Sequence, residues 1–231
     1  MAKSSFLTLC RTARKECRIT GLSGPAAVTE QAGLLGEIVR WVADADQEAQ
    51  GLWFDWAFLK LTTWSSQTVA NTAAVAAPTD LGVWDRKSFW LDRTLSTNKP
   101  LTVMDYDAWR RDLDFGVRVS KKPDSVVILP DQSLKLEPPP DGIYTLTGDY
   151  WKRPAKMAAN GDTSPIPEEY ERIIIARVKI FYGEREGVGE ILASGQAEYD
   201  SLLDMLEAKY LPYQEARRRA APDEQMVVRV E

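Results

Sequence analysis

The apolar positions near the start of the chain recur at helical spacing. Phe6, Leu9, Cys10, Ala13 and Cys17 fall on one side of a helix predicted over residues 5–18. Ser4 or Ser5 supplies an N-cap oxygen, and the opposite face carries Arg11, Arg14, Lys15 and Arg18. The run "GLSGP", residues 21–25, stops it. A second helix is expected over residues 29–50, with the stripe Leu34, Leu35, Ile38, Trp41, Val42, Ala45 and Ala49. Its outer face reads as acidic: Glu30, Glu37, Asp44, Asp46 and Glu48. The basic face and the acidic face either pair across a helical hairpin or are both solvated.

From residue 53 the period changes. Short runs rich in aromatic and β-branched residues follow one another: "WAFLKLTTW", "TVANTAAVAA", "SFWLD", "SVVIL", "SLKLE" and "IYTLTGDYW". The turn signals "PTD", "LPDQS" and "PPPDG" separate them. Seven of the eight tryptophans lie in this region, and the bland reading assigns them to core or subunit interface. One short helix interrupts at "DYDAWRRDLDFG", with Asp105 as N-cap.

From Pro165 the helical period returns. "SPIPEEYERIIIARVKIFYGERE" opens with proline and two glutamates, a helix-start pattern. A last long helix is predicted over 188–210, burying Ile191, Leu192, Gly195, Tyr199, Leu202, Leu203, Leu206 and Tyr210. Gly195 with Ala193 and Ala197 offers a close helix contact. The expected class is α+β. Residues 1–52 and 163–211 form a four-helix bundle, 53–162 form an inserted antiparallel β domain, and 212–231 form an extended C-terminal tail. Within that tail "MVVRVE" reads as a strand that lacks a partner in the bundle and suits a neighbour's sheet edge.

Composition then narrows the chemistry. The chain of 231 residues has net charge −5, which disfavours a dedicated DNA reader. It has no histidine, so Ser-His-Asp, Cys-His and histidine-based zinc sites are excluded. Cys10 and Cys17 lie about 10 Å apart along one helix axis, too far for a disulfide, and fit a reducing compartment. The sequence has no phosphate-loop or dinucleotide fingerprint, no Cys-x-x-Cys pair and no calcium loop. A signal peptide and a membrane span are not expected. Asp55, Asp85, Asp92 and Asp105 lie among tryptophans, as the acids of a glycosidase would. The basic and aromatic residues of "AWRRDLDFGVRVSKK", 108–122, are diluted by Asp112 and Asp114 as a nucleic-acid patch.

The stretch "SLKLEPPPDGIYTLTGDYWKRP", residues 133–154, alternates on both sides of three prolines. It reads as a hairpin that turns at "PDG". Its pattern Ser-Leu-x-Leu-x-Pro-x-Pro-Asp, then Tyr-x-Leu-x-Gly-x-Tyr-x-x-x-Pro, resembles tailed-bacteriophage head-to-tail adaptor proteins of the tail tubular protein A type. "FLTLCRTARKECRITG", "VRWVADADQEAQGLWFDWAFLK", "DTSPIPEEYERIIIARVKIFYG" and "AEYDSLLDMLEAKYLP" resemble their helices in order. The resemblance spans most of residues 5–212 and leaves out 69–77 and the tail.

What the resemblance implies is a structural virion protein of the neck, assembled in the host cytoplasm, with no catalysis and no cofactor. Copies, commonly twelve, form a ring between portal and tail that continues the DNA channel and provides the tail-docking platform, with the β domain facing the tail. The implied partners are the chain itself, the portal protein, and a tail or tail-completion protein. Genomic DNA would be touched transiently and without sequence preference, and no membrane is involved. In such adaptors the C-terminal extension docks on the portal. That assigns Arg217, Arg218, Arg219, Met226, Val227, Val228 and Val230 to portal binding. The reading from another class is a virion-associated peptidoglycan hydrolase or glycan-binding protein built on the Trp- and Asp-rich β region. A third is a bacterial binding module that uses the same bundle.

Overall fold

A computed structural model describes residues 3–20, 23–92, 99–114 and 118–211. Among them the helices are α1 (Phe6–Glu16), α2 (Gly33–Gly51), α3 (Tyr106–Asp112), α4 (Arg172–Glu186) and α5 (Gly189–Tyr210). The strands are β1 (Lys60–Gln67), β2 (Ala74–Val75), β3 (Leu81–Trp84), β4 (Trp90–Leu91), β5 (Thr102–Met104), β6 (Ser125–Ile128), β7 (Leu134–Glu137) and β8 (Thr145–Lys152). The chain is α+β and divides into two compact units. The helical unit comprises Met1–Phe58 and Pro154–Glu231, and the β unit comprises Leu59–Arg153. The flanking segments stay with the helices because the Trp56 indole donates to Ala49 O and Gln50 exchanges bonds with the Ala155 backbone.

In the helical unit, Ser5 caps α1 by accepting from Thr8 N, and Phe6, Leu9, Cys10 and Ala13 are buried. α2 begins four residues later than the pattern predicts. Glu30 and Gly33 both take left-handed φ, of 59° and 58°, which breaks the helical run. Meanwhile Val28 N donates to Asn160 Oδ1 at 2.7 Å. α4 is buried on several sides, through Ile173, Ile174, Ile175, Val178 and Ile180, because it packs against α1, α2 and α5. It ends at Gly187, whose φ of 68° suits a residue without a Cβ.

The close helix contact runs between α4 and α5. A Cβ on Gly195 would lie 3.0 Å from Ala176 O, and one on Gly183 would lie 2.8 Å from Leu192 N. Gly183 therefore takes the role expected of Ala193 and Ala197, which are exposed. The predicted stripe of α5 is only partly covered: Ile191, Gly195 and Leu206 are buried, whereas Leu192, Tyr199, Leu202 and Leu203 are half-buried.

Two acids of α2 meet α4 rather than α1, while Asp44 pairs with Lys156. Arg177 grips Glu48 with two bonds of 2.8 Å and also lies over the rings of Phe181 and Tyr199. Arg185 pairs with Glu37. Asp46, expected outside, is fully buried.

In the β unit one sheet runs β1-β8-β3, with β4 pairing along another part of β8, all antiparallel. The other runs β2-β7-β6-β5. The expectation of an antiparallel domain is corrected here, since β5 and β6 are parallel. α3 lies between them and returns the chain in the same direction, as a parallel pair requires. The hairpin expected over 133–154 is also overturned. β7 pairs with β2 and β6, whereas β8 pairs with β1, β3 and β4. The prolines between them add no ladder donors. Their carbonyls serve other loops: Pro139 O accepts from Lys121 N and Pro140 O from Asn71 N.

A shared core of Trp84, Phe89, Leu91, Leu146 and Tyr150 with Val126, Leu134 and Leu136 joins the two sheets. A Cβ on Gly148 would lie 2.9 Å from the Phe89 ring, so the β8 glycine makes room for that aromatic. All eight tryptophans are buried or half-buried. The indoles of Trp84 and Trp109 donate to Gln132 O and Glu137.

Candidate functional site

Asp85, Asp92 and Asp105, three of the four acids singled out in the sequence, are engaged in holding the fold. Asp85 accepts from Lys60 Nζ at 2.7 Å and from Lys87 N, and the same ammonium lies 3.6 Å from Asp149. Burial opposes ionisation of Asp85, but the hydrogen bonds from Lys60 and Lys87 outweigh it and hold its pKa below the ordinary value. Asp105 caps α3, accepting from Asp107 N and Ala108 N. Asp92 accepts from Thr145 N at 2.8 Å. Asp55 is half-buried in the helical unit, apart from the other three in sequence and in unit.

One carboxyl has the raised pKa that a general acid needs. Burial pushes Asp46 up to about 6, against hydrogen bonds from Ser164 and Gln50 that favour the ion. A depression of about 410 Å³ adjoins it, lined also by Met157, Asp162 and Pro165. Yet Asp46 has no exposed surface. Its two oxygens take Ser164 Oγ at 2.5 Å and Gln50 Nε2 at 2.8 Å. Asp162 accepts from Ala158 N and Ala159 N, which lowers its pKa. This network ties α2 to the 155–166 segment and presents no acid to a substrate.

The thiols of Cys10 and Cys17 are unpaired with each other and buried, and burial pushes both up to about 12. They are poor nucleophiles. No group of three metal-binding side chains occurs among the described residues, and no helix there is long and apolar enough to cross a membrane.

The remaining candidates are surfaces. The predicted portal-binding residues Arg217, Arg218, Arg219, Met226, Val227, Val228 and Val230, with the terminal strand, lie outside the described residues. The basic run 108–122 is partly spent within itself. Arg110 donates to the Tyr106 hydroxyl, Arg111 pairs with Asp112, and Arg118 reaches Leu113 O and Glu137.

The described residues expose large apolar side chains in both units, Val83 of β3 among them. Leu52, Phe54 and Met205 belong to the helical unit. Val69, Val119 and Ile143 belong to three loops of the β unit that are bonded to one another. Thr68 N donates to Tyr144 O, and the Thr68 hydroxyl accepts from Tyr144 N and donates to Gly142 O. Asn71 N reaches Pro140 O, and Ser120 Oγ donates to Asn71 Oδ1. Sequence reasoning missed this tip because Ile143 reads as strand alternation and Val69 as part of an alanine-rich run. The available signal was an apolar β-branched residue where turn chemistry favours Gly, Asn or Asp.

A family model described as SU10 adaptor protein matches residues 4–227. The match takes in both the alanine-rich segment 69–77 and most of the tail. No curated protein matches the chain.

Proposed function

The chain belongs to the SU10 adaptor protein family, and on that premise we propose that it is a structural protein of a tailed-phage virion, placed in the neck between head and tail. The observation that carries the reading is the length of the match, from residue 4 to residue 227, across both units and into the tail. In this reading the four helices of the helical unit act as a bundle, and copies of the chain, about twelve, stand side by side in a ring. The half-buried flank of α5, with Tyr199, Leu202 and Leu203, supports a neighbouring copy as its cover. The ring continues the DNA channel. Its net charge of −5 suits transient, non-specific contact, because a strongly basic lumen would bind phosphates and slow the duplex. No catalytic step is assigned.

The C-terminal segment is assigned to the portal. Arg217, Arg218 and Arg219 provide charge, and Met226, Val227, Val228 and Val230 provide apolar anchors on an added strand. The test compares the full chain with a variant lacking residues 213–231 for binding to the portal protein of the same genome. The full chain is expected to bind. The truncated chain should keep its melting temperature and lose roughly tenfold or more in affinity. Equal affinity would remove the tail's role. No binding by the full chain to a folded portal would overturn the adaptor reading itself.

A further inference from the structure

We propose that residues 155–166 form a strap latched onto α2 by the carboxyl of Asp46, and that the latch opens locally when Asp46 gives up its proton. The strap is the segment by which the chain returns from the β unit to α4. It is held on two sides. From α2, Asp46 accepts from Ser164 Oγ at 2.5 Å, and Gln50 exchanges two bonds with the Ala155 backbone. From residues 3–7, Lys3 Nζ donates to Ser164 O at 2.6 Å and Ser5 bridges to Thr163. Phe6 N and Leu7 N donate to Asp162 O and Asn160 O. Ser4 N donates to both oxygens of Glu171, just beyond the strap. Residues 3–7 and the strap therefore come away together.

The surroundings of Asp46 favour its neutral form. Asp46 and Ser164 are fully buried, and Glu171 is only 5% exposed. Both Asp46 oxygens are taken by neutral donors, the Ser164 hydroxyl and the Gln50 amide. The cation that acts on it, the Lys3 ammonium, is bonded to the Ser164 carbonyl instead. The charges of the neighbouring segments are engaged elsewhere. Asp44 pairs with Lys156, Glu48 pairs with Arg177, and Asp162 accepts two backbone amides. Glu171 adds a second buried carboxylate. A buried carboxylate without a cation against it is costly. Burial, reinforced by Glu171 and opposed in part by the two hydrogen bonds and Lys3, pushes the Asp46 carboxyl up to about 6.

Opening the strap lets water reach this carboxyl and returns it to its ordinary 3.8. The closed form binds the proton more tightly, so closure is favoured at low pH and weakens as pH rises through 6. From these two values the opening equilibrium rises about tenfold between pH 5 and pH 8. Phe6, Met157 and Ile166 are buried, and their apolar contacts keep the closed form the major one. α4 holds its own core through Ile173, Ile174 and Ile180, so it stays folded when the strap lifts. That separates a latch from a loss of overall stability.

The test is hydrogen exchange of the full chain by mass spectrometry at pH 5 and pH 8, corrected for the intrinsic pH dependence of exchange. Protection of residues 3–8 and 155–166 should fall about tenfold, while residues 173–180 keep theirs. Asp46→Asn removes the titrating group and should leave the strap equally protected at both pH values. Asp44→Asn removes a nearby charge outside the latch and should behave as the unaltered chain does. Ser164→Ala takes away a donor that supports the ion and should steepen the fall, which keeps the test decisive if Asp46→Asn does not fold. Equal protection at both pH values in the unaltered chain would overturn the proposal, as would a fall that persists in Asp46→Asn. A fall shared by residues 173–180 would overturn it too, since the helical unit would then be unfolding as a whole. The latch belongs to the single chain, so its test stands apart from the adaptor reading.

Discussion

At the scale of single residues, Asp46 sets a pH dependence. Its folded pKa of about 6 stands above the ordinary 3.8, so the folded state holds this proton more tightly than the unfolded chain does. The contribution is fully present below about pH 4 and is lost as pH rises through 6. At about 1.4 kcal/mol per pH unit, the difference amounts to roughly 3 kcal/mol between pH 4 and pH 8. Asp46→Asn keeps an acceptor for Gln50 and removes the charge. Denaturant titrations of both proteins from pH 4 to 8 should therefore show a stability difference that changes across this window in favour of the variant at high pH. Parallel curves would refute the assignment. The inward placement of Asp46 was readable from spacing, because Ile38, Val42, Asp46 and Gln50 form one i, i+4 row. Its polarity concealed it, and the hydrogen bonds from Gln50 and the distant Ser164 make the burial tolerable.

At the scale of elements, the seam between α4 and α5 depends on two glycines whose close neighbours include backbone atoms, Leu192 N at Gly183 and Ala176 O at Gly195. Gly183→Ala or Gly195→Ala should each destabilise by roughly 1–3 kcal/mol, since a backbone must move to admit the methyl group. Gly189→Ala, at the open start of α5, should be neutral or stabilising by about 0.5 kcal/mol. Equal effects at all three, measured by denaturant unfolding, would contradict the close packing. The helices were legible because stripes and caps are local signals. Ser5 and Asp105 act as caps where the sequence placed them. β3 and β5 were missed because Gly82 weakens the strand signal of the one and the three residues of the other include no aromatic side chain. The change of sheet after β7 was missed because strand pairing is a long-range choice, and local turn chemistry at Asp141 and Gly142 looks the same in a hairpin and in a crossing. The tip escaped for the same reason: its three loops lie far apart in sequence.

At the scale of the whole molecule, the account treats the chain as a part whose work is done by surfaces. The acids and thiols that might carry chemistry are capped, paired or buried, while apolar side chains stand exposed in both units. The charge balance, the half-covered flank of α5 and the bonded loops of the β unit all suit assembly. The most direct measurement is the particle mass by mass photometry of the purified chain alone, of the portal alone, and of their mixture. The account predicts that the mixture gains a single step of about twelve times the 26.0 kDa chain, one ring on each portal. A folded portal whose mass does not change in the presence of the folded chain would contradict it.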